Sequence, residues 1–302
     1  MAKFSYFFLL TGYALVGSIV LALSVQEDRR IVALGDLHGD LENTVDILRF
    51  SNIIDHDNRW IGGDTIFVQT GDVLDRGLDT IKLFDLLQNL REEAPLQGGL
   101  VIPLLGNHEL MNLVGDWRYV YPGEPETFGG MEARKRAFEK DGFIGEYLKL
   151  LNITTKVGST VFCHGGITPH FSRLGIDWIN DRTHETIVTY MESQGSQGIE
   201  HGIFGGTGPT WYRGYAMEEE DTICSVLDQA LALLEANRMV VGHTVQHDGA
   251  IRTRCNGKII LIDIGISRTY NGGKGALEIR GNTVHALYAD RAVQLDSPPP
   301  YK

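Results

Sequence analysis

Three short apolar runs, each followed by a cluster of polar residues, are the feature that most restricts how this chain can fold. The runs occupy residues 31–35, 65–69 and 99–105. Segments with a helical spacing of apolar residues separate them, and strands that alternate with helices predict parallel βαβ units, hence an α/β fold. The clusters contain Asp36, Asp72 and Asn107, which stand 36 and 35 residues apart. Because ligands bind at the edge of such sheets where the carboxyl ends of the strands meet, we expect the clusters to lie side by side.

Two later histidines follow strand-like runs in the same way, and with the clusters they give six candidate metal ligands. These are Asp36, His38, Asp72, Asn107, His164 and His243. A mixture of carboxylate, amide and imidazole groups suits Mn, Fe or Zn. Six ligands are too many for one open catalytic ion, but they fit two divalent ions that share a bridging carboxylate. Two such ions lower the pKa of a shared water and give a hydroxide nucleophile at neutral pH.

Charge and cysteine content argue against a nucleic-acid-binding protein and against a disulfide-rich scaffold. The net charge is −12, with 39 acidic and 27 basic residues and no run of Lys and Arg, so we expect no nucleic-acid partner. Cys163, Cys224 and Cys255 form no C-x-x-C pair and are too few for a disulfide framework, although one bridge could form. The sequence has neither a Gly-x-Ser-x-Gly motif nor a Cys followed by a phosphate-cradling Arg loop, so no protein nucleophile is evident.

The polar clusters read, in order, GDLHGD, GDVLDRG, GNHE, HGG and GHT. This series resembles the motifs of the metallophosphoesterases and, within them, of the phosphoprotein phosphatases, over about residues 31–265. The resemblance implies a β-sandwich of mixed sheets flanked by helices, with a two-metal site at the carboxyl edge of the strands. It also implies that a phosphomonoester is hydrolysed, with a phosphoprotein as the leading substrate.

The resemblance further implies a role for each matching residue. One metal would be held by Asp36, His38 and Asp72, and the other by Asp72, Asn107, His164 and His243. His108 would be the general acid that protonates the leaving oxygen, and Asp75 would orient it. Arg76 would clamp the phosphate, and Arg213, the last residue but one of the Gly-rich segment 195–214, would be a second phosphate-binding arginine.

Differences from the common phosphoprotein-phosphatase motifs indicate which branch of the family the chain resembles. Leu105 precedes the GNHE motif where common eukaryotic Ser/Thr phosphatases have Arg, and residues 263–270 lack their Ser-Ala-Pro-Asn-Tyr signature. Asp75 stands where purple acid phosphatases have Tyr, and His243 lies in a Val-Gly-His-Thr setting rather than Arg-Ala-His. Together these features resemble the bacterial-like branch, the Shewanella-like protein phosphatases.

Three interpretations of the function stay open on the sequence alone: a phosphoprotein phosphatase, a nucleotide hydrolase and an inactive module. The phosphoprotein substrate could carry phospho-Ser/Thr or phospho-Tyr. A hydrolase of dinucleoside polyphosphates or nucleotides would share the same core motifs, and an inactive, membrane-anchored interaction module is the third interpretation.

Residues 115–130, rich in Gly, Pro and aromatic residues, are predicted to form a surface loop. The sequence does not determine the oligomeric state.

The N-terminal sequence predicts a targeting signal. Residues 4–23 are uncharged and apolar, follow Lys3, and are followed by the small residue Ser24. The length fits either a cleaved secretory signal or a retained anchor that contacts the membrane through residues 4–23. We therefore expect a signal or anchor at residues 1–24, a catalytic domain at 25–295 and a tail at 296–302. The chain would be secreted, lumenal in the endoplasmic reticulum or membrane-anchored.

Overall fold

A computed structural model of the chain describes residues 29–193, 195–197 and 202–298. The strands in chain order are β1 (Ile31–Leu34), β2 (Ile66–Gln69), β3 (Leu100–Pro103), β4 (Thr154–Val157), β5 (Thr160–Cys163), β6 (Arg238–Val241), β7 (Arg252–Arg254), β8 (Ile259–Leu261), β9 (Ala276–Arg280), β10 (Thr283–Leu287) and β11 (Ala292–Gln294). The helices are α1 (Leu41–Phe50), α2 (Thr80–Glu93), α3 (Asn107–Leu113), α4 (Glu124–Thr127), α5 (Met131–Phe138), α6 (Phe143–Leu148), α7 (Pro169–Ser172), α8 (Ile176–Glu192), α9 (Gly214–Met217) and α10 (Glu220–Leu233).

The strands form two mixed sheets. The first has six strands in the order β11-β10-β9-β1-β2-β3, and the second has five in the order β4-β5-β6-β8-β7. In the first sheet β1, β2 and β3 are parallel, with Ile31 opposite Ile66 and Ile66 opposite Leu100. In the second sheet β5, β6 and β8 are parallel. The predicted α/β fold with mixed sheets and flanking helices is confirmed.

The parallel strands lie in the core. Every residue of β1, β2, β5, β6 and β8 is buried. Strands whose two faces are both covered need a nearly continuous apolar sequence, which is why these segments are detectable as apolar runs. The helix between β1 and β2 and the helix between β2 and β3 make the two crossovers that the spacing of the clusters predicts. The parallel pairing therefore brings the carboxyl ends of these strands together.

The two cysteines at positions 224 and 255 form a disulfide, and Cys163 is free and buried. Cys224 lies in α10 and Cys255 follows β7, so the bond ties that helix to the end strand of the second sheet. The predicted signal or anchor at residues 1–24 lies outside the described residues. Within the described ranges, no helix is both long enough and apolar enough to cross a bilayer.

Reducing this disulfide is expected to destabilise the fold. The two cysteines are 31 residues apart, and closing a loop of that length stabilises a protein by about 3–4 kcal/mol through the unfolded chain. Denaturant unfolding with and without reductant should show this loss. The Cys224→Ser/Cys255→Ser double variant should be as unstable as the reduced protein and insensitive to reductant. An unchanged unfolding midpoint after complete reduction would contradict the expectation.

Candidate active site

Polar residues follow the carboxyl ends of the parallel strands in both sheets. They are Asp36 after β1, Asp72 after β2, Asn107 after β3, His164 after β5, His243 after β6 and Asp263 after β8. All six are nearly inaccessible, with at most 4% of each residue exposed. The site thus lies where the edges of the two sheets meet.

Glycines allow the sheet edges to approach this closely. A Cβ atom on Gly35, after β1, would lie 2.5 Å from the carbonyl oxygen of Ile262, which follows β8 in the other sheet. A Cβ atom on Gly106 would lie 2.1 Å from Oδ1 of Asp72. No side chain fits at such distances, so the sequence must have glycine at both positions.

The backbone of the site is unusual. Ten non-glycine residues in the described ranges have a positive φ, and five of them belong to the site. The five are His38, Asp72, Asp75, Arg76 and His243. A left-handed conformation costs such residues about 1–3 kcal/mol each and persists only where surrounding contacts impose it. The concentration of these conformations at one place indicates that the site is built to hold specific side-chain directions.

His164 lies at the centre of one group of candidate ligands. Its Nε2 atom is 2.9 Å from Oδ1 of Asn107 and 3.1 Å from Nδ1 of His243. The same Nε2 atom is 3.2 Å from Oδ2 of Asp72. Four of the predicted ligands therefore point their donor atoms at a common centre.

His38 and Asp36 form the other group, which also includes Asp72. Nε2 of His38 lies 3.7 Å from Oδ2 of Asp72 and 3.9 Å from Oδ2 of Asp36. Asp72 thus stands between the two groups with one carboxylate oxygen near histidines of both. This is the position that a carboxylate bridging two ions would occupy.

The histidines are oriented as metal ligands are. One ring nitrogen of each contacts a backbone carbonyl oxygen, which leaves the other nitrogen facing the cluster. These contacts are His38 Nδ1 to Leu74 at 3.0 Å, His164 Nδ1 to Thr70 at 3.0 Å and His243 Nε2 to Trp211 at 3.2 Å. Burial lowers the pKa of His38 to about 3 and that of His243 to about 2. Both rings are therefore neutral and can offer a nitrogen lone pair to a metal ion.

The buried carboxylates of the site need their negative charge to be neutralised. Burial, together with the charges of Asp263 and Asp72, raises the pKa of Asp36 well above its usual value. Burial raises the pKa of Asp263 to about 6. Buried like charges at close range are stable only when they are neutralised, by protons or by a bound ion. The residues present therefore fit divalent metal ions, both in donor type and in charge.

His108 is held beside the cluster by Asp75. Its Nδ1 atom is 2.7 Å from Oδ2 of Asp75, and its Nε2 atom faces Asp72 at 3.7 Å from Oδ2. Burial acts to lower the pKa of His108, but the charge of Asp72 and the hydrogen bond to Asp75 outweigh it and the pKa is raised. Distances alone would also group His108 with His38 and Asp72 as a trio able to hold an ion. The contact of its Nδ1 atom with a carboxylate, where the three ligand histidines contact backbone carbonyl oxygens, favours a proton donor instead.

The two predicted phosphate-binding arginines lie at different places around the site. The half-buried Arg76 lies between two aromatic rings, 4.5 Å from the centre of Tyr119 and 5.2 Å from that of Tyr270. Arg213 is exposed, and its guanidinium donates to the carbonyl oxygen of His243 and to Oγ1 of Thr244. Stacking fixes the plane of Arg76, whereas Arg213 is held by hydrogen bonds alone.

The structure adds site residues to which the sequence analysis gave no role. The Glu109 carboxylate accepts backbone N–H groups of Asp72, Val73 and Gly106 at 2.7–2.8 Å and so fixes the turn that carries Asp72. Its place three residues after Gly106, at the third position of α3, is a capping signal in the sequence. Asp263 follows an apolar run just as the predicted ligands do, so the same rule would have found it.

Comparisons with known proteins agree with this geometry. A sequence profile of the family described as calcineurin-like phosphoesterase matches residues 29–247. Shewanella-like protein phosphatase 2 of Arabidopsis thaliana is 33% identical, over 86% of this chain and 78% of that protein. Shewanella-like protein phosphatase 1 of Plasmodium berghei is 34% identical, over 83% of this chain and 71% of that protein.

A solved structure is similar over most of the chain. The crystal structure of the cold-active protein-tyrosine phosphatase of a psychrophilic Shewanella species superimposes with a TM-score of 0.79 at 30% sequence identity. The match covers 89% of this chain and 81% of that one.

Proposed function

The chain belongs to the calcineurin-like phosphoesterase family, and we propose that it acts as a metal-dependent phosphoprotein phosphatase. The family resemblance inferred from the five motifs is confirmed, as is the prediction of a metallophosphatase. The observation that carries the proposal is the cluster of Asp72 and five other buried candidate ligands, with a histidine oriented beside it by Asp75. That combination supplies candidate ligands for two metals and a proton donor, and it needs no protein nucleophile.

We propose that the six candidate ligands bind two metal ions. The first metal is assigned to Asp36, His38 and Asp72, and the second to Asp72, Asn107, His164 and His243. When bound, two divalent ions polarise the phosphoryl oxygens and lower the pKa of a water to near neutrality. The donor types suit Mn, Fe or Zn.

The protein side chains bind the phosphate and move the proton. Arg76 and Arg213 hold the phosphoryl oxygens by charge-assisted hydrogen bonds. His108 donates a proton from Nε2 to the leaving oxygen, since its Nδ1 is occupied by Asp75. Asp75 keeps the imidazole in the tautomer and direction that this transfer needs.

For the substrate we propose phosphotyrosine in proteins. Tyr119 and Tyr270 flank Arg76, and the ring of Tyr119 also lies 5.0 Å from that of His108. An aromatic leaving group can stack against such rings, which contributes about 0.5–1.5 kcal/mol beyond the area buried. The similar Shewanella enzyme is described as a protein-tyrosine phosphatase, which supports the same choice.

Phosphate release from three substrates tests this proposal. Residues 25–302, loaded with Mn²⁺, are incubated with phosphotyrosine peptides, phosphoserine/threonine peptides and diadenosine tetraphosphate. We expect turnover of the phosphotyrosine peptides to be highest. Turnover of the dinucleotide alone would move the chain to the nucleotide hydrolases, and metal binding without turnover of any substrate would favour the inactive interaction module.

Arg76→Lys is expected to impair substrate binding. Lysine keeps the charge but cannot stack between two tyrosines or bind two phosphoryl oxygens with a planar fork. We expect kcat/KM to fall about 10-fold or more, mainly through KM. Arg59→Lys is the matched control, because Arg59 has 69% of its side chain exposed and pairs with Glu93. Equal kinetics in the Arg76 variant and the control would contradict the role of Arg76.

We also propose that the chain enters the secretory pathway. The apolar residues 4–23 support this, and the disulfide between Cys224 and Cys255 is typical of an oxidising compartment. N-terminal sequencing of the protein from fractionated cells tests it. A new terminus at Val25 would identify a cleaved signal, and a full-length chain in alkali-extracted membranes would identify an anchor. A full-length chain in the soluble cytosol would contradict the proposal.

A further inference from the structure

A chain of buried polar side chains leads away from the His108–Asp75 pair, and no catalytic step described above uses it. It starts at Asn112, which lies one helical turn after His108 in α3. The Asn112 side-chain amide donates to Oδ2 of Asp75 at 3.0 Å and to the carbonyl oxygen of His108 at 2.9 Å. Asp75 Oδ2 is the same oxygen that contacts Nδ1 of His108. One amide therefore fixes both members of the pair.

Arg134 of α5 is the next link. Its Nη2 atom donates to Oδ1 of Asn112 at 2.8 Å and lies 3.7 Å from Oδ1 of Asp75. Because Asn112 accepts from Arg134 on its oxygen, its nitrogen must face Asp75 and His108. The arginine thereby selects the orientation of the amide.

Glu124 of α4 completes the chain. Its carboxylate accepts from Nε of Arg134 at 2.5 Å, and both side chains are fully buried. The guanidinium also packs against the rings of Phe128 and Phe138, at 5.7 and 4.8 Å from their centres. Glu124 thus gives the buried guanidinium a carboxylate partner other than Asp75, whose Oδ2 atom contacts His108.

Buried ion pairs are costly, and hydrophobic residues of similar volume often replace them without loss of stability. The pair of Arg134 and Glu124 is thus poorly explained by stability alone. Arg134 donates to Asn112, and Asn112 in turn donates to Asp75, the carboxylate that orients the proton donor, which gives a reason for the cost.

We propose that Asn112 and Arg134 are positioning residues that hold Asp75 and His108 in the geometry required for proton transfer to the leaving oxygen. The proposal rests on the phosphatase function stated above. Within the described ranges, the side chains of Asn112 and Arg134 form no hydrogen bond with any of the six candidate ligands. Their loss should therefore affect the protonation of the leaving group and spare metal binding.

Asn112→Leu tests this, because leucine has a similar volume but no polar atoms. We expect kcat for a phosphotyrosine peptide to fall about 10- to 100-fold, the range typical of residues that orient a catalytic group. With 4-nitrophenyl phosphate, whose leaving group needs little protonation, the loss should be at most about threefold. KM and the metal content per chain should not change. Arg134→Lys keeps the positive charge beside Glu124 but loses the planar fork, and should show the same selectivity to a smaller extent.

Asn180→Leu is the matched control. Asn180 is also a buried asparagine, but it binds the backbone of Ile153 and Thr154 next to β4, away from the site. Its loss should lower stability without changing the ratio of the two activities. A second readout does not depend on activity: the NMR signal of the His108 Nδ1 proton in the Zn²⁺-loaded protein, assigned by its absence in His108→Asn. This signal should shift or broaden in Asn112→Leu and stay unchanged in Asn180→Leu.

The outcomes separate this proposal from the one on which it rests. An active wild type, together with an Asn112→Leu variant that keeps the wild-type ratio of activities and the wild-type proton signal, would overturn the positioning role alone. Equal losses on both substrates, accompanied by loss of metal, would also overturn it. A metal-loaded wild type that hydrolyses none of the phosphate esters would overturn both proposals.

Discussion

Asp72→Asn is expected to lower turnover by roughly 1,000-fold or more, since a carboxylate shared by two metals contributes several kcal/mol to stabilising charge in the transition state. Oδ2 of Asp72 is 3.2 Å from Nε2 of His164 and 3.7 Å from Nε2 of His38. Asparagine keeps the size of the side chain but removes its charge. The variant should therefore fold and bind fewer than two metals per chain.

Turnover of 4-nitrophenyl phosphate and elemental analysis of the purified variant measure both effects. Asp248→Asn is the control, because the half-exposed side chain of Asp248 forms a surface ion pair with Arg252. That variant should keep wild-type turnover and metal content. An Asp72→Asn enzyme with wild-type turnover and a full metal content would refute the bridging role.

His108→Asn is expected to give the second largest loss, and a selective one. General acid catalysis contributes about 10²- to 10⁴-fold, so hydrolysis of a phosphotyrosine peptide should fall by that factor. Hydrolysis of 4-nitrophenyl phosphate should fall much less, because its leaving group is stable without a proton. The metal content should be unchanged, since Nδ1 of His108 is held by Asp75 and the six other donors remain.

Comparing these readouts also resolves the grouping of His108 with His38 and Asp72. If His108 were a metal ligand, His108→Asn would lose metal and would lose activity equally on both substrates. His285→Asn is the control, since His285 lies in β10, where its ring is 4.0 Å from the carboxylate of Glu278. It should leave both activities at wild-type values.

The main elements of the fold and the cluster of candidate metal ligands could be predicted from sequence because they obey local rules. Strands buried on both faces must be apolar, and the parallel order then places whatever follows them at one edge. Asp36, Asp72 and His164 each follow such a strand directly or after a short turn. Their identity as candidate ligands needed only the residue types and the spacing.

The supports of the site could not be predicted in this way. Glu124 lies in a segment expected to be a surface loop, yet it is fully buried against Arg134. Nothing in a polar helix such as α5 indicates that one of its arginines points inward. Asp75, whose backbone is left-handed with φ at 66°, contacts both His108 and Asn112, which lie in a different element. These contacts depend on tertiary packing, which the spacing of apolar residues in the sequence does not predict.

The cysteines give a similar contrast. Three cysteines allow three single pairings, and their spacing favours none of them. The structure pairs Cys224 with Cys255 because α10 lies next to the turn after β7, and it buries Cys163 at the end of β5. Proximity in the fold decides the pairing.

The most direct test of the account is a metal titration of the chelator-treated protein, residues 25–302, in which bound metal and phosphatase activity are measured together. The account predicts no activity without metal and a rise to full activity as two ions bind per chain, with Mn²⁺, Fe²⁺ and Zn²⁺ compared. Full activity in the metal-free protein, or a maximum reached at one ion per chain, would contradict the two-metal site centred on Asp72.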